Sequence, residues 1–201
     1  MTGSILSVKN YCVEISNILH QQMRNYDFKF AAVFYRDPKK QNDYKNQNEY
    51  MDFTSNPNKL RYFVSNIGAH GGGDGPEDWV SAYKIVISKL QWRNGINLII
   101  HIADAQPHGS PDDYTSCNSF PEEGPKLDEL NKILANNKFC VTALSIGFYP
   151  EKAFKRCKLI FEECGNMNYE IKDFDQNKKD PGYFTKLVVD SSVGVARKIN
   201  L

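Results

Sequence analysis

Asp104 closes the apolar run "INLIIHIA" (96–103) and is followed at once by "AQPHG" (105–109). A carboxylate at the end of a strand-like, buried-looking run needs partners, because burying an unpaired charge is expensive. Two further stretches carry hard oxygen donors. "MTGS" (1–4) supplies Thr2 and Ser4 at the start of an amphipathic segment, and "GGGDG" (71–75) supplies Asp74 just before a helical pattern. If strands and helices alternate as the periodicities indicate, all three stretches fall on the carboxyl edge of one sheet, where open α/β sheets bind ligands. Hydroxyls with one or two carboxylates suit Mg2+, or Ca2+ or Mn2+, whereas zinc prefers nitrogen and sulfur. Magnesium keeps several waters, and one of those positions can pass to a partner's carboxylate.

Each donor also has a structural explanation. Thr2 or Ser4 can cap the first helix by accepting from its free amides. "DGPE" (74–77) reads as a capping box with Asp74 as cap, Pro76 in the first turn and Glu77 reaching back. Asp104 can be a satisfied structural aspartate. His108, with Asp112 and Asp113 in the same polar loop, reads as a surface histidine. His20, His70 and His101 have no cysteine or histidine at metal-ligand spacing. No serine sits in a nucleophile-elbow pattern, and "GGGDG" matches neither phosphate-binding glycine fingerprint. Trp79 and Trp92 bracket one helix and read as core.

Two periodicities alternate in the elements that must position these donors. Ile5, Val8, Cys12, Ile15 and Leu19 recur at steps of three and four, which predicts a helix. "FKFAAVFY" (28–35) predicts a strand, "EYMDFTS" a marginal one, and "NKLRYFVSNI" (58–67) a short helix. A helix over about 78–92 turns Val80, Tyr83, Val86 and Leu90 inward. "INLIIHIA" reads as a strand covered on both faces. The long polar segment 105–125 reads as a functional loop. A helix at about 126–137, a strand in "FCVTALSIGF" (139–148), a helix from Pro150 to Cys164, a strand near "YEIKDF" and a helix at about 181–197 complete the series. Residues 1–201 show no repeat, linker or second domain, so a single α/β domain with a mostly parallel sheet is expected. The chain nevertheless opens with a helix, as though "TGS" left a strand that is not there.

Composition narrows the classes. With 25 basic and 24 acidic residues the net charge is +1, which gives no general field for nucleic acid or an anionic membrane. No run approaches the ~20 apolar residues of a membrane span, and the first residues lack a signal-peptide pattern. Five cysteines without a CxxC pair read as reduced thiols, so a cytoplasmic location is expected.

The stretches "TGS" with "SVKN", "FYRD" (34–37), "DFT" (52–54), "AHGGGDGPEDW" (69–79), "LQW" (90–92), "IHIADAQPHG" (100–109), "DDY" (112–114) and "EEGP" (122–125) together resemble the von Willebrand factor A domain, and more closely the A domains of alpha-kinase-type proteins. The resemblance spans essentially the whole chain. It implies a Rossmann-like three-layer sandwich with strand order 3-2-1-4-5-6 and a divalent ion in a metal-ion-dependent adhesion site. Thr2 and Ser4 match the two hydroxyls of D-x-T-x-S, Asp104 matches the later aspartate, and Asp74 falls where other members place a loop threonine. The leading aspartate of that pattern would precede Met1, and the first, central strand is missing with it. The chain is therefore expected to be N-terminally truncated, with a gap between the flanking strands and a weakened metal site. The implied function is non-enzymatic. The metal-site loops would bind an acidic residue of a protein partner, or the chain would be a regulatory or targeting fragment of an alpha-kinase-like protein, or a metal-free scaffold. The glycine-rich loop, lysine and aspartates that phosphoryl transfer needs are not found.

Overall fold

Ile15 and Leu19 of α1 (Thr2–Gln22), with Met23 one residue past its end, recur at every fourth position and are all buried, as one stripe of a helix should be. The computed structural model describes residues 2–36, 48–68, 75–109, 120–174 and 182–199, with the backbone alone for 2–10, 12 and 199. Because α1 begins at Thr2, "TGS" is its first turn and not a loop leading into it. The chain continues through β1 (Phe30–Phe34), β2 (Glu49–Thr54), α2 (Pro57–Asn66), α3 (Trp79–Ser88), β3 (Leu98–Ala103), α4 (Glu123–Asn136), β4 (Cys140–Ser145), α5 (Glu151–Glu163), β5 (Tyr169–Asp173) and α6 (Gly182–Ile199).

The described strands form two sheets in a mixed α/β architecture. β1 and β2 pair antiparallel, whereas β3, β4 and β5 form a parallel sheet with β4 in the middle. Side chains alternate across both sheets with the period of two that pleating imposes. Val141 and Ala143 of β4 pack in a core with Trp79, Leu127, Leu134, Phe154 and Phe161, contributed by α3, α4 and α5. Leu144 and Ile146 point the other way, toward Ile15 and Leu19 of α1 and Phe184 and Val188 of α6. On that same side α2 buries Leu60 and Val64 against Phe30, Ala32 and Phe34 of β1. One helical layer thus holds α1, α2 and α6, and the other holds α3, α4 and α5.

β1 and β3 run in the same direction and face each other across a slot. At their amino ends Asp27 and Arg93 form an ion pair, and the guanidinium holds the Asp27 carboxyl below its usual range. At their carboxyl ends the Tyr35 hydroxyl donates to the Ile102 carbonyl at 3.0 Å. Among the described residues no strand lies between them, and a cavity of about 1160 Å³ opens there. Exposure follows this topology. β4, paired on both edges, is buried at every residue, whereas β1 is half-buried throughout and β3 over most of its length. The sequence reading of β3 as a strand covered on both faces holds, with Ile99 and Ala103 packed on one side and Ile100 and Ile102 on the other, while among the described strands it pairs along one edge, with β4.

α3 is capped differently from the sequence expectation. Asp78, not Asp74, is its cap and accepts from the Ser81 amide at 2.8 Å. Asp78 is itself buried, so the bond is shielded from water. Asp78→Ala is expected to lower unfolding free energy by about 1 kcal/mol, read as a shift of the urea midpoint at unchanged slope.

Candidate functional site at the carboxyl edge

A crossbar of backbone closes the carboxyl end of the slot. The Glu77 amide donates to the Gln106 carbonyl at 2.9 Å, and the Glu77 carbonyl accepts from the His108 amide at 3.2 Å. These bonds make a one-residue parallel bridge between Glu77 and Pro107. The next residue reaches across to the other sheet, where the Asp78 amide donates to the Arg36 carbonyl at 3.1 Å. Arg36 is buried, and its guanidinium bonds the Glu49 carboxylate at 2.7 Å and the Gly68 carbonyl at 3.2 Å. Residues 77–78 therefore tie the ends of β1 and β3 together while leaving the slot below them open.

Asp104 stands one residue beyond β3 at this edge and is half-buried. Burial first, and then the charges of Glu77 and Asp104, drive the Tyr35 phenol well above its ordinary value. The two carboxylates and the phenol are thus electrostatic neighbours. Thr2 and Ser4 lie in the first turn of α1, and nothing of their side chains is described. His20, near the end of α1, meets Phe28 just ahead of β1, with ring centroids 5.5 Å apart. A 21-residue helix is about 32 Å long, against about 17 Å for a five-residue strand. α1 is therefore nearly twice as long as β1. Asp74 lies outside the described residues, as do His70, Asp112 and Asp113. Among the described residues no group of three or more His, Cys, Asp or Glu side chains gathers as a metal site.

His108 is not the surface histidine that its polar neighbours suggest. It is 1% exposed, and its ring packs edge-on against Phe120 at 5.0 Å. Sequence reasoning could not reach this, because Phe120 lies on the far side of the intervening segment. The two ends of that segment meet at glycines. A Cβ on Gly109, whose φ is +70°, would stand 2.3 Å from the Gly124 amide nitrogen, so only glycine fits there. Glu123 sits at this junction, with one carboxylate oxygen buried and without a hydrogen bond. Burial, then the charges of Asp78 and Glu122, raise its carboxyl group from 4.5 to about 7. A carboxyl group that protonates more readily in the folded state adds stability below about pH 4.5, and that stability is lost as pH rises toward 7. Glu123→Gln should abolish this decline, measured by chemical denaturation at a series of pH values.

Sequence reasoning also passed over His101. Its imidazole is buried against Trp79 at a centroid distance of 4.4 Å and Phe154 at 5.0 Å. Tyr35 approaches its Nε2 and Tyr83 its Nδ1, each at 3.1 Å. Tyr35 has one hydroxyl hydrogen and gives it to Ile102, so Nε2–H donates to the Tyr35 oxygen and Nδ1 accepts from Tyr83. The ring is therefore neutral, and burial lowers its pKa to about 3. Of the cysteines, Cys140 and Cys157 are buried and free, and burial pushes their thiols up to about 11 and about 12. Such thiols are poor nucleophiles at neutral pH.

No family model matches the chain. Over 218 aligned residues it is 27% identical to "Alpha-protein kinase vwkA" of Dictyostelium discoideum, an alignment that covers 98% of this chain. The chain spans 32% of that protein's length. The similarity is thus to one portion of an alpha-protein kinase. No helix among the described residues is long and apolar enough to cross a membrane.

Proposed function

We propose that this chain is a protein-binding module of the von Willebrand factor A type, without enzymatic activity of its own. In this reading a hard divalent cation, Mg2+ or else Ca2+ or Mn2+, is held at the carboxyl edge with Asp104 as its principal ligand. Thr2 and Ser4 in the first turn of α1 and Asp74 ahead of α3 supply the further oxygens. The ion completes its shell with an acidic residue of a protein partner. The observation that carries the reading is the position of Asp104: a half-buried carboxylate at the end of the strand that borders the break between the two sheets. Crevices of that kind, outside the carboxyl ends of strands, are where open α/β sheets take their ligands. The donor chemistry fits a hard ion, since hydroxyl and carboxylate oxygens are what Mg2+ and Ca2+ select. The exposed rings of Phe148 and Tyr149, tilted on one another with centroids 4.2 Å apart just beyond β4, would add apolar contact for a partner at the same edge.

Isothermal titration with MgCl2, MnCl2 and CaCl2 tests the site. Saturable one-to-one binding that disappears in Asp104→Ala is expected, with an affinity weak enough to need millimolar metal. Equal heats from the wild type and the variant would reject it. A second reading is favoured by the match to part of an alpha-protein kinase: the chain would act as a regulatory or targeting portion of a kinase-like protein. Comparing kinase activity and localisation of the full-length product with and without residues 1–201 separates that role from simple partner capture.

A further inference from the structure

The last strand of the parallel sheet, β5, has the sequence "YEIKD" (169–173), in which an acid and a base flank an isoleucine. Among the described residues it pairs only with β4, in a register that sets Tyr169 beside Val141 and Asp173 beside Ser145. The Val141 amide donates to the Asn168 carbonyl, and the Phe174 amide donates to the Ser145 carbonyl. The backbone groups of even-numbered residues therefore turn toward β4, because their direction alternates along a strand. Those of Tyr169, Ile171 and Asp173 turn outward, along the edge away from β4. The Asp173 carbonyl accepts from the Tyr183 hydroxyl at 3.1 Å and keeps a second lone pair. Glu170 and Lys172 project side by side on the α6 face, with Nζ 3.7 Å from the carboxylate. There Lys172 also donates to the Ser191 hydroxyl, and Lys198 bonds Glu170. Ile171 lies on the opposite face, against the core that holds Phe161.

We infer that β5 is the interface through which two copies of this chain pair, edge to edge and antiparallel, about a two-fold axis at Ile171. The charge pattern selects a second copy as the occupant. In that register Ile171 stands opposite its own counterpart, Tyr169 opposite the second copy's Asp173, and Glu170 opposite the second copy's Lys172. The outward-facing residues exchange two bonds per pair, giving about six main-chain hydrogen bonds. Opposite charges directly across an antiparallel pair attract and like charges repel. Both Glu170–Lys172 pairs form together, because the two-fold axis brings each acid to the other copy's base. Sliding one copy by two residues sets Glu170 against Glu170, or Lys172 against Lys172, so charge specifies the register. A foreign strand lacks this reciprocity and meets the charges by which edge strands resist random pairing. The two-fold symmetry closes the assembly at two copies. One strand per copy makes an interface well below the ~1,600 Å² of a standard complex, so the dimer should be weak.

The test uses the full 201-residue protein with EDTA present, so that no metal bridges the copies and the outcome is independent of Asp104. Sedimentation equilibrium from micromolar to millimolar concentration should show a monomer–dimer equilibrium. Glu170→Lys and Lys172→Glu should each weaken it at least tenfold, and mixing the two variants should restore it, because opposite charges then meet at both positions. In the wild type, amide exchange followed by NMR should slow with concentration at Tyr169, Ile171 and Asp173. Glu170 and Lys172, whose amides already face β4, should change little. This wild-type pattern makes the test independent of how either variant folds. The inference is overturned if the wild type stays monomeric at millimolar concentration, if either variant associates as tightly as the wild type, or if mixing restores nothing. It is equally overturned if the Ile171 amide is as protected in dilute protein as those of Glu170 and Lys172, which would mean that the edge is covered within one chain.

Discussion

Truncating Trp79 to alanine is expected to remove about 3–5 kcal/mol of unfolding free energy. The indole is fully buried, edge-on to His101 at 4.4 Å and tilted on Phe154 at 4.8 Å, so it joins α3 to β3 and α5 at one point. Deleting it loses the transfer energy of the ring and leaves a void lined by residues of three elements that cannot all collapse together. Typical domains have only about 5–15 kcal/mol of stability, so the variant should unfold at markedly lower denaturant. The effect should reach the carboxyl edge as well. Trp79 is the first residue of α3, directly after the Glu77–Asp78 crossbar, and loosening it frees Glu77 from its register with Pro107. Equilibrium urea unfolding gives the size of the loss, and a Trp79→Phe variant should recover most of it.

The second large effect is an acid-side loss of stability traced to one imidazole. His101 titrates at about 3 in the folded protein, against an ordinary value of 6.5. A group whose pKa is depressed by folding contributes stability that is present above about pH 6.5 and is lost as pH falls toward 3. The expected slope is about 1.4 kcal/mol per pH unit through that window, one proton being taken up on unfolding. Glu123 acts with the opposite sign between about 4.5 and 7, so the two contributions oppose one another over the shared interval. Below pH 4.5 the histidine contribution stands alone and the decline should steepen. His101→Gln removes the titrating group while keeping polar atoms for Tyr35 and Tyr83, and its stability should vary less with pH on the acid side. A His101→Gln curve parallel to that of the wild type between pH 3 and 6.5 would refute the assignment.

Most of the elements could be read from the sequence, because their signals are local. The stripe of Ile15 and Leu19 gave α1, and the short, mostly apolar stretch "FCVTALSIGF" gave β4. The helix expected from about 126 begins earlier, at Glu123, because Pro125 is tolerated in a first turn where its missing amide has no intrahelical partner. What depends on distant residues could not be read. Asp74 and Asp78 offer the same side chain near one helix start, and it is where the helix begins, at Trp79, that makes Asp78 the cap accepting from the Ser81 amide. The burial of His108 depends on Phe120, and the neutrality of His101 depends on tyrosines from two different elements. The edge that Asp104 occupies could be predicted, since a carboxylate ending an apolar run marks a strand terminus. The nearness of Glu77 could not, because it rests on a single backbone bridge between segments about thirty residues apart.

The most direct test of the proposed metal edge is paramagnetic. Substoichiometric MnCl2 added to the isotope-labelled protein should selectively broaden the amide signals of residues 103–106, Glu77 and the first turn of α1. In Asp104→Asn the same addition should leave those signals sharp. Broadening that persists unchanged in the variant, or that falls instead on scattered surface carboxylates such as Glu129 and Asp190, would contradict a cation held by Asp104.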